Sequence, residues 1–355
     1  MPTATPARIR VKFMAKSLPG KDYSGWLRRF PSKIPSWGAC DYIFDQSCRD
    51  YDWLVVYDDL PASSGERFTL WNEPLPATCP RAHTLLITTE PSTIKVYSRA
   101  YTRQFGLVLT SQEPWAIRHP GAIFSQPGLV FFYGGSGDRG SYDVMAGHIP
   151  ADKKSEISTV CSSKQQKHTL HHARYDFTRK LKQAIPGLEV FGHGVKPVHD
   201  KADALDDYRY HVAIENHICA HHWTEKLSDA FLGACLPFYH GCPNYADYFP
   251  AESVVPIDIK DFPAALETIQ RTIRDGEYSK RLPSILESRR LVLEEYGLFP
   301  LLTRLITTPR PEPRQNDRDP TIRSRHALRK QSSLATLGEG FDKMLVSLHH
   351  RFQNH

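Results

Sequence analysis

The run "YHVAIENHICAHHWTEKLSDAFLGACLPFYHGCPNYADYFP" (residues 210–250) decides the fold. It reads as an apolar strand stopping at Glu215–Asn216, a loop, a helix opening on Thr224–Glu225–Lys226, and a second strand, "CLPFYHG" (235–241). This is a strand–helix–strand unit of a doubly wound α/β sheet. In such sheets ligands collect at the carboxyl ends of the strands, where helix N-termini expose unsatisfied N–H groups that suit phosphates. A second helix opens near His172–Ala173–Arg174. Each of the two helices carries a cation in its first turn, against the helix dipole. A bound diphosphate would resolve that conflict. The plainer alternatives are a solvated Lys226 and an Arg174 paired with Asp176. Glu215 and Glu225 favour a particular anion. A carboxylate repels a bare diphosphate, but beside a sugar it accepts hydroxyl hydrogen bonds and stabilises developing positive charge. The residues therefore point to a nucleotide-sugar.

The same alternation extends outward. "EISTVCSS" (156–163), "LEVFGHG" (188–194) and "SVVPIDI" (253–259) read as strands, and 171–187, 223–234 and 261–276 as amphipathic helices. The first half holds four short apolar runs, at 8–15, 51–60, 83–92 and 105–112, each bounded by polar residues. Such runs suit a parallel sheet buried on both faces. Glycines concentrate in "YGGSGDRGSYDVMAGH" (133–148), which reads as a linker. The expected domains are 1–150, 151–308, and a basic tail at 309–355. Past 308 the chain is Pro-rich, charged and poor in apolar residues, so it reads as largely disordered. At its end "FDKMLVSLHHRF" restores a helical stripe of Phe341, Met344, Leu345, Leu348 and Phe352. That stripe either docks on the body or lies on an anionic membrane surface.

The 355 residues are 40% hydrophobic and 24% charged, the composition of a folded chain with substantial cores. Of the formal net charge of +6, the tail alone supplies +4, from nine Lys/Arg and five Asp/Glu. The remainder is near neutral, which argues against a general nucleic-acid surface. Seven cysteines with no CxxC pair read as reduced thiols. No apolar run suits a signal peptide or a membrane span. The expected location is cytoplasmic, peripheral to the inner membrane if the terminal helix binds it.

The block "EN(x)7TEK…LPFYHGCPNYADYFP" closely resembles the donor-domain signature of the α1,3-fucosyltransferases, glycosyltransferase family 10. "TVCSS…HARYDFTRKL…LEVFGHG", "KADALDDYRYHVAIEN" and "SVVPIDIKDF" continue the likeness in order over roughly residues 156–265, and "LLITTEPS" (85–92) resembles the family's Asn-Phe-Glu-Ser-Pro turn. The resemblance implies a GT-B fold: two Rossmann-like domains facing across a cleft, the N-terminal one reading the acceptor and the C-terminal one holding the donor. It implies an inverting fucosyltransferase using GDP-fucose, acting on a cell-surface glycan or lipid-linked precursor. It further implies that Glu90 deprotonates the acceptor hydroxyl and that Arg174 and Lys226 hold the diphosphate. Glu225 would lie near the sugar. Asn216 with Ser162 and Ser163 would fix the nucleotide, and Glu215, His222 and Thr224 fall in the same donor site. His222 stands where the family often has Tyr, and Ser163 where it commonly has Asn. Judged without the resemblance, Glu90 reads as a turn carboxylate capping the next helix through Pro91–Ser92.

The same residues fit a different nucleotide-sugar, or a non-catalytic glycan or nucleotide binder. No metal is assigned. Asp50–Tyr51–Asp52 and Asp317–Arg318–Asp319 match only a three-residue metal pattern, and the His168–His172 and His217–His222 clusters lack an evident Cys or carboxylate partner. "YGGSGDRG" lacks the spacing of a dinucleotide or P-loop motif. No cofactor beyond the donor is required.

Overall fold

The structure is a computed structural model and describes residues 7–16, 23–61, 74–135, 137–161, 170–192, 194–310 and 320–353. It divides into two compact units, one of residues 1–127 and 302–355, the other of residues 128–301. In the first, seven strands lie in the order Ser36–Trp37, Cys40–Ile43, Ile9–Ala15, Trp53–Tyr57, Thr84–Ile87, Leu107–Thr110, Ala122–Phe124. All neighbours are parallel except the first pair. Val11, Phe13, Leu54, Val55, Val56, Leu85 and Leu86 are fully or almost fully buried. Consecutive buried residues mean that both faces of these strands are covered, as the unbroken apolar runs require.

The second unit has five parallel strands in the order Glu189–Phe191, Ser155–Val160, Tyr208–Ile214, Leu236–His240, Val255–Pro256. The chain order reverses between Ser155–Val160 and Tyr208–Ile214. A doubly wound sheet opens its ligand crevice at that switch point. Helices His171–Ala184, Glu225–Leu232 and Phe262–Arg274 follow their strands as expected. Asp261 caps the last through Ala264 N at 3.1 Å, and Ala265 and Ile269 are buried. The carboxyl end of Glu225–Leu232 meets two buried cations. Arg289 Nε donates to Leu232 O at 3.1 Å, and the Lys153 ammonium donates to Gly233 O. Cations at that end match the sign of the helix dipole.

Two parallel α/β units are what the sequence predicts, but their limits differ from it. The glycine-rich stretch lies within the second unit rather than linking two. Phe132 N and Tyr133 N donate to buried Asp229 Oδ1 at 3.0 and 3.1 Å, Arg139 pairs with Asp203 at 2.7 Å and with Asp206, and residues Tyr142–Gly147 are helical. Glycine density marks tight turns here, and the buried acceptor on Asp229 anchors them.

The chain past 308 also departs from expectation. Residues 311–319, with Asp317–Arg318–Asp319, lie outside the described residues, but 320–331 are built into the first unit. Thr321–Ile322 pairs antiparallel with Leu75–Pro76, and Ile322 is fully buried. A few well-placed apolar residues (Ile322, Ala327, Leu328) outweigh the polar composition around them. The final helix, Ser333–Gln353, packs through buried Val346 and Glu339. Asp342 accepts from Arg99 N at 3.0 Å, and the His349 ring stacks on Trp115 at 4.5 Å. Of its expected apolar stripe, Leu345 is half-buried toward the first unit, while Phe341, Met344, Leu348 and Phe352, with Leu334 and Leu337 before them, are exposed. No helix among the described residues is long and apolar enough to cross a membrane. All seven cysteines are free.

Deleting the Ile322 side chain should therefore destabilise the whole first unit rather than fray a tail. Ile322→Ala is expected to cost about 2–5 kcal/mol, read as a shift in the urea unfolding midpoint. A shift below a few tenths of a kcal/mol would mean that the segment is loosely attached.

Candidate active site

Strand Tyr208–Ile214 extends its ladder by one bond, Glu215 N to His240 O at 2.9 Å, and there the chain turns. Glu215 has no solvent exposure. Its carboxylate accepts from Thr224 N at 2.8 Å, Thr224 Oγ1 at 2.7 Å and Tyr239 OH at 3.4 Å, with Lys226 Nζ at 3.4 Å. Glu215 thus builds the site from beneath. Gly241 permits this packing, because a Cβ there would come within 2.4 Å of the Tyr239 hydroxyl and 2.5 Å of the Glu215 side chain. Thr224 is the N-cap of helix Glu225–Leu232, its side chain accepting from Lys226 N at 3.4 Å.

Lys226 is therefore a first-turn cation held by protein acceptors. Its ammonium contacts Glu225 Oε1 at 2.7 Å and Thr224 Oγ1 at 3.1 Å as well as Glu215. Burial would lower its pKa, but Glu215 and Glu225 outweigh burial and leave it raised. Burial likewise works against the charge on Glu225, and the ammoniums of Lys226 and Lys201 overcome it and hold its pKa well below the usual carboxylate value. Both groups are ionised at neutral pH. The conflict with the helix dipole is thus met by two carboxylates of the protein itself.

Arg174 spans the switch point. One guanidinium nitrogen donates to Asn216 Oδ1 at 2.9 Å at the end of one strand, and the other to Val160 O at 3.2 Å at the end of its neighbour. The alternative partner Asp176 pairs with Arg179 and Lys180 at 3.1 and 3.3 Å. The two groups that orient Arg174 are neutral, so they leave its charge available to an anion. Ser162 and Ser163 lie outside the described residues. His222 is buried, its ring edge-on to His217 at a centroid distance of 5.6 Å.

Lys201 belongs to this cluster and was missed among the candidate residues. Its ammonium lies 2.7 Å from Asp229 Oδ2 and donates to Glu225 O at 3.4 Å. Its signal was present in the run "KADALDDYRYHVAIEN", but nothing in a lone Lys–Ala–Asp predicts a partner 28 residues on. His211 is buried below this cluster. Burial first, then Lys201, Arg174 and Lys153, push it down to about 3, so it is neutral.

In the first unit, Glu90 stands at the carboxyl edge of the sheet, just past strand Thr84–Ile87, with an exposed side chain. Its carbonyl accepts from Gln112 Nε2 at 2.7 Å.

Residues 150–274, within the second unit, match the family model described as glycosyltransferase family 10 (fucosyltransferase) C-term. Among curated proteins, the alpha-(1,3)-fucosyltransferase FucT of Helicobacter pylori is 30% identical over 105 residues. That match takes in 28% of this chain and spans only 21% of the relative's length. A crystal structure of alpha1,3-fucosyltransferase with GDP-fucose superposes with a TM-score of 0.46 at 15% identity, covering 83% of this chain and 93% of that one. An alpha-glucosyltransferase in complex with UDP and DNA gives 0.48 at 9% identity, covering 85% and 100%.

Lys226 neutralises a fully buried carboxylate, whereas Arg174 leans on neutral groups. Lys226→Met should therefore destabilise by about 3–5 kcal/mol and Arg174→Met by far less. The sign with pH is set by Glu225. Its folded-state pKa lies below the unfolded value, so its contribution is present above the carboxylate range and lost as pH falls. Without the ammonium Glu225 loses the largest of the attractions that lower its pKa, and its burial then raises it. The stability gap between parent and Lys226→Met should narrow as pH is lowered, measured by urea unfolding across the carboxylate range.

Proposed function

We propose that this protein is an inverting glycosyltransferase that moves fucose from GDP-fucose to a hydroxyl of a glycan acceptor. The observation that carries the reading is the Arg174–Asn216 bridge across the switch point, beside the Glu225–Lys226 pair at a helix N-terminus, inside the segment that matches family 10. Arg174, Lys226 and the helix N-terminus take the diphosphate and stabilise it as it departs. Glu225, ionised and half-buried, faces the positive charge developing on the sugar. Glu90 accepts the acceptor's hydroxyl proton. The acceptor oxygen bonds to the anomeric carbon as the carbon–oxygen bond to the diphosphate breaks, and GDP leaves with that electron pair.

The first unit receives the acceptor, a cell-surface glycan or its lipid-linked precursor in a bacterial cytoplasm. The exposed stripe Leu334, Leu337, Phe341, Met344, Leu348 and Phe352 supports peripheral attachment to the inner membrane. Helix Ser333–Gln353 carries Glu339, Asp342, Lys343 and Arg351, a balanced set, so attachment rests on apolar insertion rather than charge.

Calorimetric titration with GDP-fucose, GDP-mannose, UDP-sugars and dTDP-sugars tests the donor. GDP-fucose should bind and turn over, and strong binding by another donor with none by GDP-fucose would replace it. Glu90→Gln should keep donor affinity and lose about 10²–10⁴-fold in kcat, whereas a non-catalytic binder would show no turnover to lose. Flotation with vesicles of bacterial lipid tests attachment. Binding should persist in high salt and disappear in Phe341→Glu/Phe352→Glu, and unchanged partitioning of that variant would refute insertion.

A further inference from the structure

The residue before Glu90 and the carbonyl of Glu90 itself are held by side chains, not by the sheet. The ladder contributes Thr88 N to Leu109 O at 3.0 Å. Beyond it, Thr89 N donates to the hydroxyl oxygen of Tyr97 at 3.1 Å, and Glu90 O accepts from Gln112 Nε2. Gln112 Nε2 also donates to Lys95 O at 2.8 Å, closing the turn. Tyr97 and Gln112 are each 2% exposed, beneath a glutamate whose own side chain is exposed.

A phenol has one hydrogen. Tyr97 gives it to Asp58 Oδ1 at 2.5 Å. Because ionised Asp58 can only accept, Tyr97 must donate to it, and its oxygen is left to accept from Thr89 N. Asp58 is fixed in turn. It comes directly after strand Trp53–Tyr57, its N–H donates to Ile87 O at 2.9 Å, and its carboxylate pairs with the Lys95 ammonium. It adopts φ +73°, a left-handed backbone that Asp tolerates better than most residues. The order of bonds is therefore forced: Lys95 and Asp58 set the direction of the Tyr97 hydroxyl, and that hydroxyl sets Thr89. Burial opposes charge on Asp58, yet Lys95 and the bonds from Lys95, Tyr97 and Thr89 keep it lowered, so the polarity holds at neutral pH.

We infer that Asp58, Tyr97 and Gln112 are positioning residues for Glu90, clamping the Thr88–Thr89 peptide by its N–H and the Glu90–Pro91 peptide by its carbonyl, so that the carboxylate is presented in one place. The inference rests on the reading of Glu90 as the base. Two of the three lie far from it in sequence, at the tips of the strands flanking its own, which is where a sheet can brace one strand end with its neighbours. A proton acceptor needs that bracing, because a displacement near 1 Å can cost about 10²-fold in rate.

Tyr97→Phe keeps the ring and removes the hydroxyl. It should lower kcat for fucose transfer from GDP-fucose by about 10–100-fold and leave GDP-fucose affinity unchanged. Gln112→Met should do the same from the other side, which keeps the test open if one variant folds poorly. The decisive measurement is the cycle with Glu90→Gln. Residues acting through Glu90 should lose their effect once its carboxylate is gone, so Tyr97→Phe in the Glu90→Gln background should cost almost nothing further. If both variants keep their full cost there, or leave kcat unchanged, the clamp has no part in catalysis and the inference falls alone. If Glu90→Gln itself keeps full turnover, the reading of Glu90 as the base falls, and the inference with it.

Discussion

A carboxylate sealed from water at the end of strand Tyr208–Ile214 holds up the start of the next helix. An unpaired charge in such a place is prohibitively costly, so every lone pair of Glu215 must be answered. The answers are the backbone and hydroxyl of Thr224, the Tyr239 hydroxyl, and the Lys226 ammonium. The same contacts set the N-cap of the helix, the direction of its first turn and the position of a cation at its positive end. Glu215 is fully buried, and it dictates the geometry of Lys226 and Glu225. Even Gly241 is required by it, since a side chain there would displace either Tyr239 or Glu215.

Around that carboxylate the second unit gathers Arg174, Lys201 and Lys226 against Glu215, Glu225 and Asp229. The acids order the cations but do not consume all of their charge, because Arg174 is oriented by an amide and a carbonyl. Groups fixed before a ligand arrives need not reorganise as charge moves during reaction, which is the usual basis of electrostatic catalysis. His211, buried below them, is kept neutral first by burial and then by the neighbouring cations Lys201, Arg174 and Lys153.

The first unit solves a similar problem in the same way. At the carboxyl edge of its sheet an exposed glutamate rests on a half-buried ion pair, Asp58 with Lys95, transmitted through one phenol. In both units less exposed ionised groups orient more exposed ones. Both sites are at strand ends, because there the ladder stops supplying partners and side chains must satisfy the backbone.

The sequence by itself determined the alternation of strands and helices, the parallel character of both sheets, and the candidates Glu90, Arg174, Asn216, Glu225 and Lys226. Apolar runs of strand length, helix stripes and first-turn charges are local signals, and local signals survive in one dimension. It did not determine that the glycine-rich stretch belongs to the second unit, that residues 320–331 return to the first, or that most of the terminal stripe faces outward. Those outcomes depend on which buried partner a segment meets, as Tyr133 meets Asp229 and Ile322 meets Leu75. Nor could it separate Glu215 from Glu225, ten residues apart on one motif, one fully buried as a brace and the other half-buried beside Lys226. Lys201, Asp58, Tyr97 and Gln112 were invisible for the same reason. Only the tertiary structure brings residues from separate strand tips together, and a hydrogen bond exists only once both partners have been placed.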